Sequence, residues 1–263
     1  MRADQGRGPG LEARGVTVRY GGLVAADSVT LSAPLGRITG LIGPNGAGKT
    51  TTFSACSGTA PVSSGSVHLF GEEVTGVPPQ IRGQRGLGRT FQRMELFDSL
   101  TVADNVGLGL EAGLAGSKPW RHLLGNKGDK ARIVARVQES LRRCGIEDLA
   151  QVTAGELSTG QGRLVELARV LAGNFRMLLL DEPSSGLDRA ETARFGAILR
   201  NTVAETGCGI LLVEHDMSLV LNICDYVYVL DFGKLIFEGT PAQIVASQEV
   251  QAAYLGSADL EAS

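Results

Sequence analysis

The stretch Gly43-Pro44-Asn45-Gly46-Ala47-Gly48-Lys49-Thr50 constrains this chain more than any other, because it joins an apolar run, Ile38 to Ile42, to the segment Thr51, Thr52, Phe53. It fits G-x-x-x-x-G-K-[ST] between a strand and a helix, an arrangement that wraps backbone N–H groups around phosphates. Glycines let the main chain curve closely round an anion, and the following helix offers its N-terminal dipole. In that setting Lys49 is expected to reach the β- and γ-phosphates, and the Thr50 hydroxyl to ligate magnesium. A glycine-rich turn with no ligand shares part of this pattern, but here every fixed position matches in the required local context. The first expectation is therefore a bound nucleoside triphosphate.

Composition narrows what surrounds that loop. A chain of 263 residues with 43% hydrophobic content allows one large α/β domain or two small ones around a well-buried core. The formal net charge of −3 gives no global attraction to nucleic acid or to an anionic membrane. No window approaches the roughly 18 consecutive apolar residues of a transmembrane helix, and the start, MRADQGRGPG, lacks a signal-peptide core, so a cytosolic protein is expected. Cys56, Cys144, Cys208 and Cys224 are far apart in apolar periodic segments, which reads as reduced core cysteines. Three histidines are too few for a His-rich metal site.

Residues 1–10, rich in Gly, Arg and Pro, are expected to form a flexible leader. Val16 and Val18, then Val29 and Leu31, alternate with polar neighbours on either side of Tyr20-Gly21-Gly22, predicting an antiparallel hairpin with Tyr20 near the nucleotide. Strands are predicted over Gly65 to Phe70 and Leu87 to Phe91, the latter ending at Gln92, with a turn-rich stretch between them. From Thr101 to about Ala172 helical periods dominate. A loop is expected over Gly116 to Gly128, then a helix capped by Asp129 that buries Val134, Val137, Leu141 and Cys144. Lys118 to Arg143 carries eight basic residues against Asp129 and Glu139, which suits a solvated face, lipid head groups or an acidic partner loop. Met177 to Phe237 alternates strands and helices, which argues for a parallel sheet with crossovers. No internal repeat is present.

Two further stretches carry chemistry. MLLLDE, Met177 to Glu182, is an apolar strand running into two carboxylates at the end where ligands collect in open α/β sheets. Asp181 is expected to orient magnesium, and Glu182 to face the γ-phosphate and a water as general base. Leu157-Ser158-Thr159-Gly160-Gln161 opens a helix through Leu164, Leu167, Ala168 and Leu171, and its hydroxyl and free N–H groups make a second anion site.

The ordered set Tyr20, GPNGAGKTT, Gln92, LSTGQ, MLLLDEP, SSGLD and His215, spanning Leu11 to Gly256, resembles the ATPase subunits of ABC transporters. The resemblance implies an α/β P-loop NTPase (RecA-like) core with an antiparallel β subdomain and an inserted α-helical signature subdomain at approximately 95–172, within an ATPase domain over 11–256 followed by a tail, 257–263. It implies ATP and Mg2+ as cofactors. Tyr20 then stacks on adenine, while Gly43, Pro44, Asn45, Gly46, Ala47, Gly48, Lys49, Thr50 and Thr51 hold its phosphates. Ser158, Gly160 and Gln161 complete the ATP site of a second subunit, and Asp188 contacts that subunit. Gln92 senses magnesium and the γ-phosphate and couples to the membrane subunit, Thr50 and Asp181 attend the metal, and His215 holds the γ-phosphate beside Glu182.

RYGGLVA, RTFQRMELFDSLTVADNV, the long basic segment, EHDMSLV and AYLG further resemble the ATPases of branched-chain amino-acid importers. Those pair with transmembrane permease subunits, a second ATPase and, indirectly, a solute-binding protein, on the cytoplasmic face of the inner membrane; nucleic acid is not an expected partner. The ATPase of lipopolysaccharide export is similar around EHD but typically shorter where residues 111–130 lie. Thr159 replaces the usual glycine of LSGGQ, and Gly162 stands where glutamine is common. A soluble ABC ATPase of translation or repair is disfavoured, since the chain has neither two ATPase halves nor a long coiled coil, and a P-loop kinase leaves LSTGQ unexplained.

Overall fold

The computed structural model describes residues 8–90, 96–115, 127–173 and 175–258. In chain order its strands are β1 (Leu11–Tyr20), β2 (Leu23–Ala33), β3 (Ile38–Ile42), β4 (Ser64–Leu69), β5 (Glu72–Glu73), β6 (Leu87–Arg89), β7 (Met177–Asp181), β8 (Gly209–Val213), β9 (Tyr226–Asp231) and β10 (Lys234–Gly239). Its α-helices are α1 (Lys49–Ser57), α2 (Pro79–Gln84), α3 (Val102–Ala115), α4 (Lys127–Cys144), α5 (Thr159–Ala172), α6 (Arg189–Thr206), α7 (Met217–Ile223), α8 (Pro241–Ala246) and α9 (Gln248–Ala258).

The apolar runs of the sequence become the central sheet, ordered β10-β9-β3-β8-β7-β6 and parallel except for the β9/β10 hairpin. Its central strands β3, β7 and β8 are buried at every position because both faces are covered. Leu178 and Leu180 of β7 join one core with α3 to α7, while Met177 and Leu179 join a second core under α1 and the β1/β2 hairpin. That hairpin belongs to an antiparallel sheet ordered β2-β1-β4-β5, as the alternation around Tyr20 predicts.

The chain between the parallel neighbours β6 and β7 is one long excursion containing α3, α4 and α5. Val102, Val106 and Leu110 of α3, Val137, Leu141 and Cys144 of α4, and Leu164, Val165 and Ala168 of α5 share one core. Two details differ from expectation. α4 starts at Lys127, so Asp129 lies inside its first turn rather than at its cap. Val137, Leu141 and Cys144 are buried as expected, but Val134 is 53% exposed and Ile133 packs against the core instead. All four cysteines are buried free thiols, and burial pushes those of Cys56 and Cys144 up to about 12.

The ends also differ. Gly8 and Gly10 accept hydrogen bonds from the Leu35 and Phe70 amides at 3.4 and 2.7 Å, so the docked chain begins inside the expected leader. α9 runs to Ala258, two residues into the expected tail. Neither α2 nor the pair α8 and α9 was expected, although Thr240, Pro241 and Gln243 make a capping box with proline at the first helical position. The α1 helix is fixed at its far end by Arg82, 1% exposed, whose guanidinium donates to the Ala55, Cys56, Thr75 and Val77 carbonyls at 2.7–2.9 Å.

Candidate functional site: a phosphate loop at the ends of three parallel strands

Strand order decides the site. β3, β8 and β7 are consecutive parallel neighbours, so the loops leaving their C-terminal ends emerge side by side. β3 runs into the Gly43–Thr50 loop, β8 ends one residue before Glu214 and His215, and β7 ends on Asp181 with Glu182 following.

The phosphate loop is shaped from outside. Gly48 adopts φ +93° and comes so close to β2 that a Cβ would stand 2.5 Å from the Ala25 carbonyl oxygen, a place only glycine can take. The β9/β10 turn closes on the same loop, with the Gly233 amide donating to the Ala47 carbonyl (3.0 Å) and the Gly233 carbonyl accepting from the Asp27 amide (2.8 Å). From α9, the Tyr254 phenol faces the Gly43 backbone. As N-cap of α1, Gly48 supplies no side-chain acceptor, so the first-turn N–H groups have no cap of that kind. Lys49 lies buried along the loop, its Nζ donating to the Gly43 and Pro44 carbonyls at 2.7 and 3.0 Å. Burial pulls its pKa below the usual lysine value, and the nearby Glu182 and Asp181 charges oppose that. Asn45, Gly46 and Thr50 are exposed at the mouth of the loop, and Thr51 is half-buried.

The two carboxylates after β7 have different surroundings. Asp181 is 2% exposed, and its Oδ1 has no hydrogen-bond partner among the described residues. Burial, then the Glu182 charge, raises it to about 6. An orphaned, buried carboxylate oxygen is a hard donor of the kind that suits Mg2+. Glu182 is half-buried with φ +46°, a left-handed conformation that costs roughly 1 kcal/mol in a non-glycine residue. Its carboxylate stands 3.8 Å from His215 Nδ1. Sequence reading missed Glu214, which is fully buried and pushed upward by that burial. It also missed Thr90, whose hydroxyl accepts from the Asp181 amide at 3.3 Å. A carboxylate directly before the histidine, at the end of an apolar strand, was the available signal.

Ser158 caps α5 in a closed reciprocal pair: its Oγ accepts from the Gln161 amide (3.2 Å), and the Gln161 side chain accepts from the Ser158 amide (2.9 Å). This helix start packs on the entry to α6. A Cβ at Gly160 would stand 2.1 Å from Glu191 Oε1, and one at Gly186 would stand 3.1 Å from the Thr159 methyl. Asp188 caps α6 in turn, accepting from the Ala190 and Glu191 amides at 2.7 and 2.8 Å. Gly162, the second departure from the family pattern, is buried in α5. Tyr20 ends β1, half exposed beside the hairpin turn. Gln92 lies outside the described residues.

Known proteins share this arrangement. The family model described as ABC transporter matches residues 26–185, and a model described as branched-chain amino acid ATP-binding cassette transporter matches residues 234–259. The chain belongs to the ABC transporter ATP-binding family, whose members bind nucleotide and hydrolyse ATP. It is 35% identical to the high-affinity branched-chain amino acid transport ATP-binding proteins BraF of Pseudomonas aeruginosa and LivG of Escherichia coli K12, over 95% of this chain and 99% of each relative. The lipopolysaccharide export ATP-binding protein LptB of E. coli K12 is 32% identical over 94% of this chain and 97% of its own length. A nucleotide-free ATP-binding cassette from an ABC transporter superposes with a TM-score of 0.82 at 28% identity, covering 94% of this chain and 98% of that one. The α/β P-loop NTPase architecture expected from the motifs is the one observed.

Proposed function

We propose that this chain powers uptake of branched-chain amino acids, working as a head-to-tail pair of ATPases beneath two permease subunits that receive solute from a binding protein. The observation that carries the reading is the convergence of Lys49, Asp181, Glu182 and His215 at the ends of β3, β7 and β8. The match of the 234–259 segment to the branched-chain amino acid family model supports the solute class over lipopolysaccharide export. In this reading the permease subunits are the membrane element and this chain sits on their cytoplasmic face; among its described residues no helix is long and apolar enough to cross a membrane.

Phosphoryl transfer needs charge placed around the γ-phosphate and an oriented water. Tyr20 stacks on adenine, and the Gly43–Thr51 loop cradles the phosphates with Lys49 on their β and γ oxygens. Thr50, Asp181 and Gln92 would attend magnesium, which would supply neutralisation of phosphate charge. Glu182 accepts the proton of the attacking water, and His215 fixes the γ-phosphate from the other side. Ser158, Gly160 and Gln161 approach the γ-phosphate of the partner subunit, with Asp188 beside that interface. Gln92 carries the state of the site to the permease.

The test is ATP-driven uptake of radiolabelled leucine, isoleucine and valine into vesicles holding this chain with its copurified permease subunits. Uptake and hydrolysis are expected together. Glu182→Gln is expected to keep ATP binding, accumulate the ATP-bound dimer and lose turnover by about 100-fold or more. Hydrolysis without uptake of any of the three would sink the solute assignment, and near wild-type turnover in Glu182→Gln would sink the general base.

A further inference from the structure

Glu214, between β8 and His215, has no assigned chemistry, and it is 0% exposed. Fully buried carboxylates are rare because taking the charge out of water is costly unless strong acceptor bonds offset it. Its bonds are specific. Oε1 accepts from the backbone amide of Ser184 at 2.9 Å, two residues past Glu182, and Oε2 accepts from the backbone amide of His215 at 3.2 Å. The Ser184 hydroxyl bonds to the same carboxylate. The His215 ring also lies beside it, with Nδ1 4.0 Å from Oε2.

Those bonds join two loops that backbone pairing alone leaves apart. The last backbone–backbone hydrogen bond between them among the described residues is the Glu182 amide on the Val213 carbonyl, at 2.9 Å. Beyond it each chain turns away, one through the left-handed Glu182 and one through His215 into the Asp216 cap of α7. Glu214 bridges that divergence. We propose that Glu214 is a positioning residue: its carboxylate clamps the Ser184 and His215 amides and so sets the 3.8 Å spacing between His215 and Glu182. The inference rests on the reading of Glu182 and His215 as the hydrolytic pair. It adds that their mutual geometry is built by a third residue that never touches nucleotide.

A carboxylate is required because both amides point at it. In Glu214→Gln the side chain keeps its size but turns an N–H2 group toward one of the two donors, breaking one arm of the clamp. The test compares full-length variants in the assembled transporter by steady-state hydrolysis, single-turnover hydrolysis and nucleotide titration. Glu214→Gln is expected to lower kcat about 10-fold or more with nucleotide affinity changed less than about 2-fold, a split that general loss of folded protein does not produce. Because the clamp acts through His215, the double variant His215→Ala/Glu214→Gln is expected to match His215→Ala in residual single-turnover rate within about 2-fold. If Glu214→Gln does not fold, Ser184→Ala removes the hydroxyl arm and keeps both backbone bonds, with about a 3-fold fall in kcat expected at unchanged affinity. Wild-type kcat in the folded variant, an equal fall in affinity, or multiplicative losses in the His215→Ala background would each overturn the clamp and leave the hydrolytic pair standing. Wild-type turnover in both Glu182→Gln and His215→Ala would overturn the pair and the clamp together.

Discussion

α1 and α5 both begin where the sequence predicts a phosphate, yet their first turns are finished in opposite ways. At α1 the cap is Gly48, with no side chain to accept from the exposed N–H groups, and Lys49 folds its ammonium onto the loop's own carbonyls. At α5 the Ser158–Gln161 box closes the turn on itself, and the whole start leans on the α6 entry through Gly160 and Glu191. The difference teaches that α1 is built to be completed by an anion, whereas α5 is stable without one. A helix start that satisfies itself can be carried as a rigid tip and presented to another subunit.

The largest effect that breaks this comparison is expected from Lys49→Ala. Nucleotide titration should show affinity reduced about 100-fold or more, since a charge-assisted phosphate contact is lost at the incomplete start; unchanged affinity would remove α1 as the primary site. Gly160→Ala acts on the other start. Its Cβ would occupy the space of the Glu191 carboxylate, so hydrolysis should fall about 10-fold or more while single-subunit nucleotide affinity holds. Equal losses in both measurements would mean that the two starts are not separable.

A smaller effect concerns the carboxylate beside α1. Burial holds Asp181 at about 6, above its unfolded value, so its contribution to stability is full below about pH 4 and is lost as pH rises through 6. Asp181→Asn should therefore stabilise the nucleotide-free protein at pH 8 by no more than about 2 kcal/mol and have little effect near pH 4, read as denaturant midpoints. A pH-independent difference would contradict burial as the cause. The smallest change is Ser158→Ala, which removes one cap acceptor and should cost about 1 kcal/mol of stability in the same assay.

Much of the architecture was legible because the signals were redundant. The parallel strands announced themselves as apolar runs ending in functional residues, and the hairpin as alternation around a glycine turn. Phase and ends were harder. Val134 and Ile133 are adjacent and both apolar, so periodicity alone did not choose between them, and tertiary packing against α3 and α5 did. α2 and α8 are six residues each, too short to show a period. At the site, motif spacing named the individual residues, but the clamp on Ser184 and the fit of Gly160 against Glu191 join positions about 30 residues apart. Such pairings depend on strand order and loop curvature, which no local pattern encodes.

Arg82 has a consequence for how this protein breathes. Its guanidinium holds the carbonyls at the C-terminal end of α1, where helices otherwise fray, and the Gly58 amide caps the same end. Opening of α1 is thereby left to its other terminus, at the phosphate loop. Amide hydrogen exchange along residues 50–56 should run as a gradient from that end, making the helix a built-in gauge of how tightly the loop is occupied.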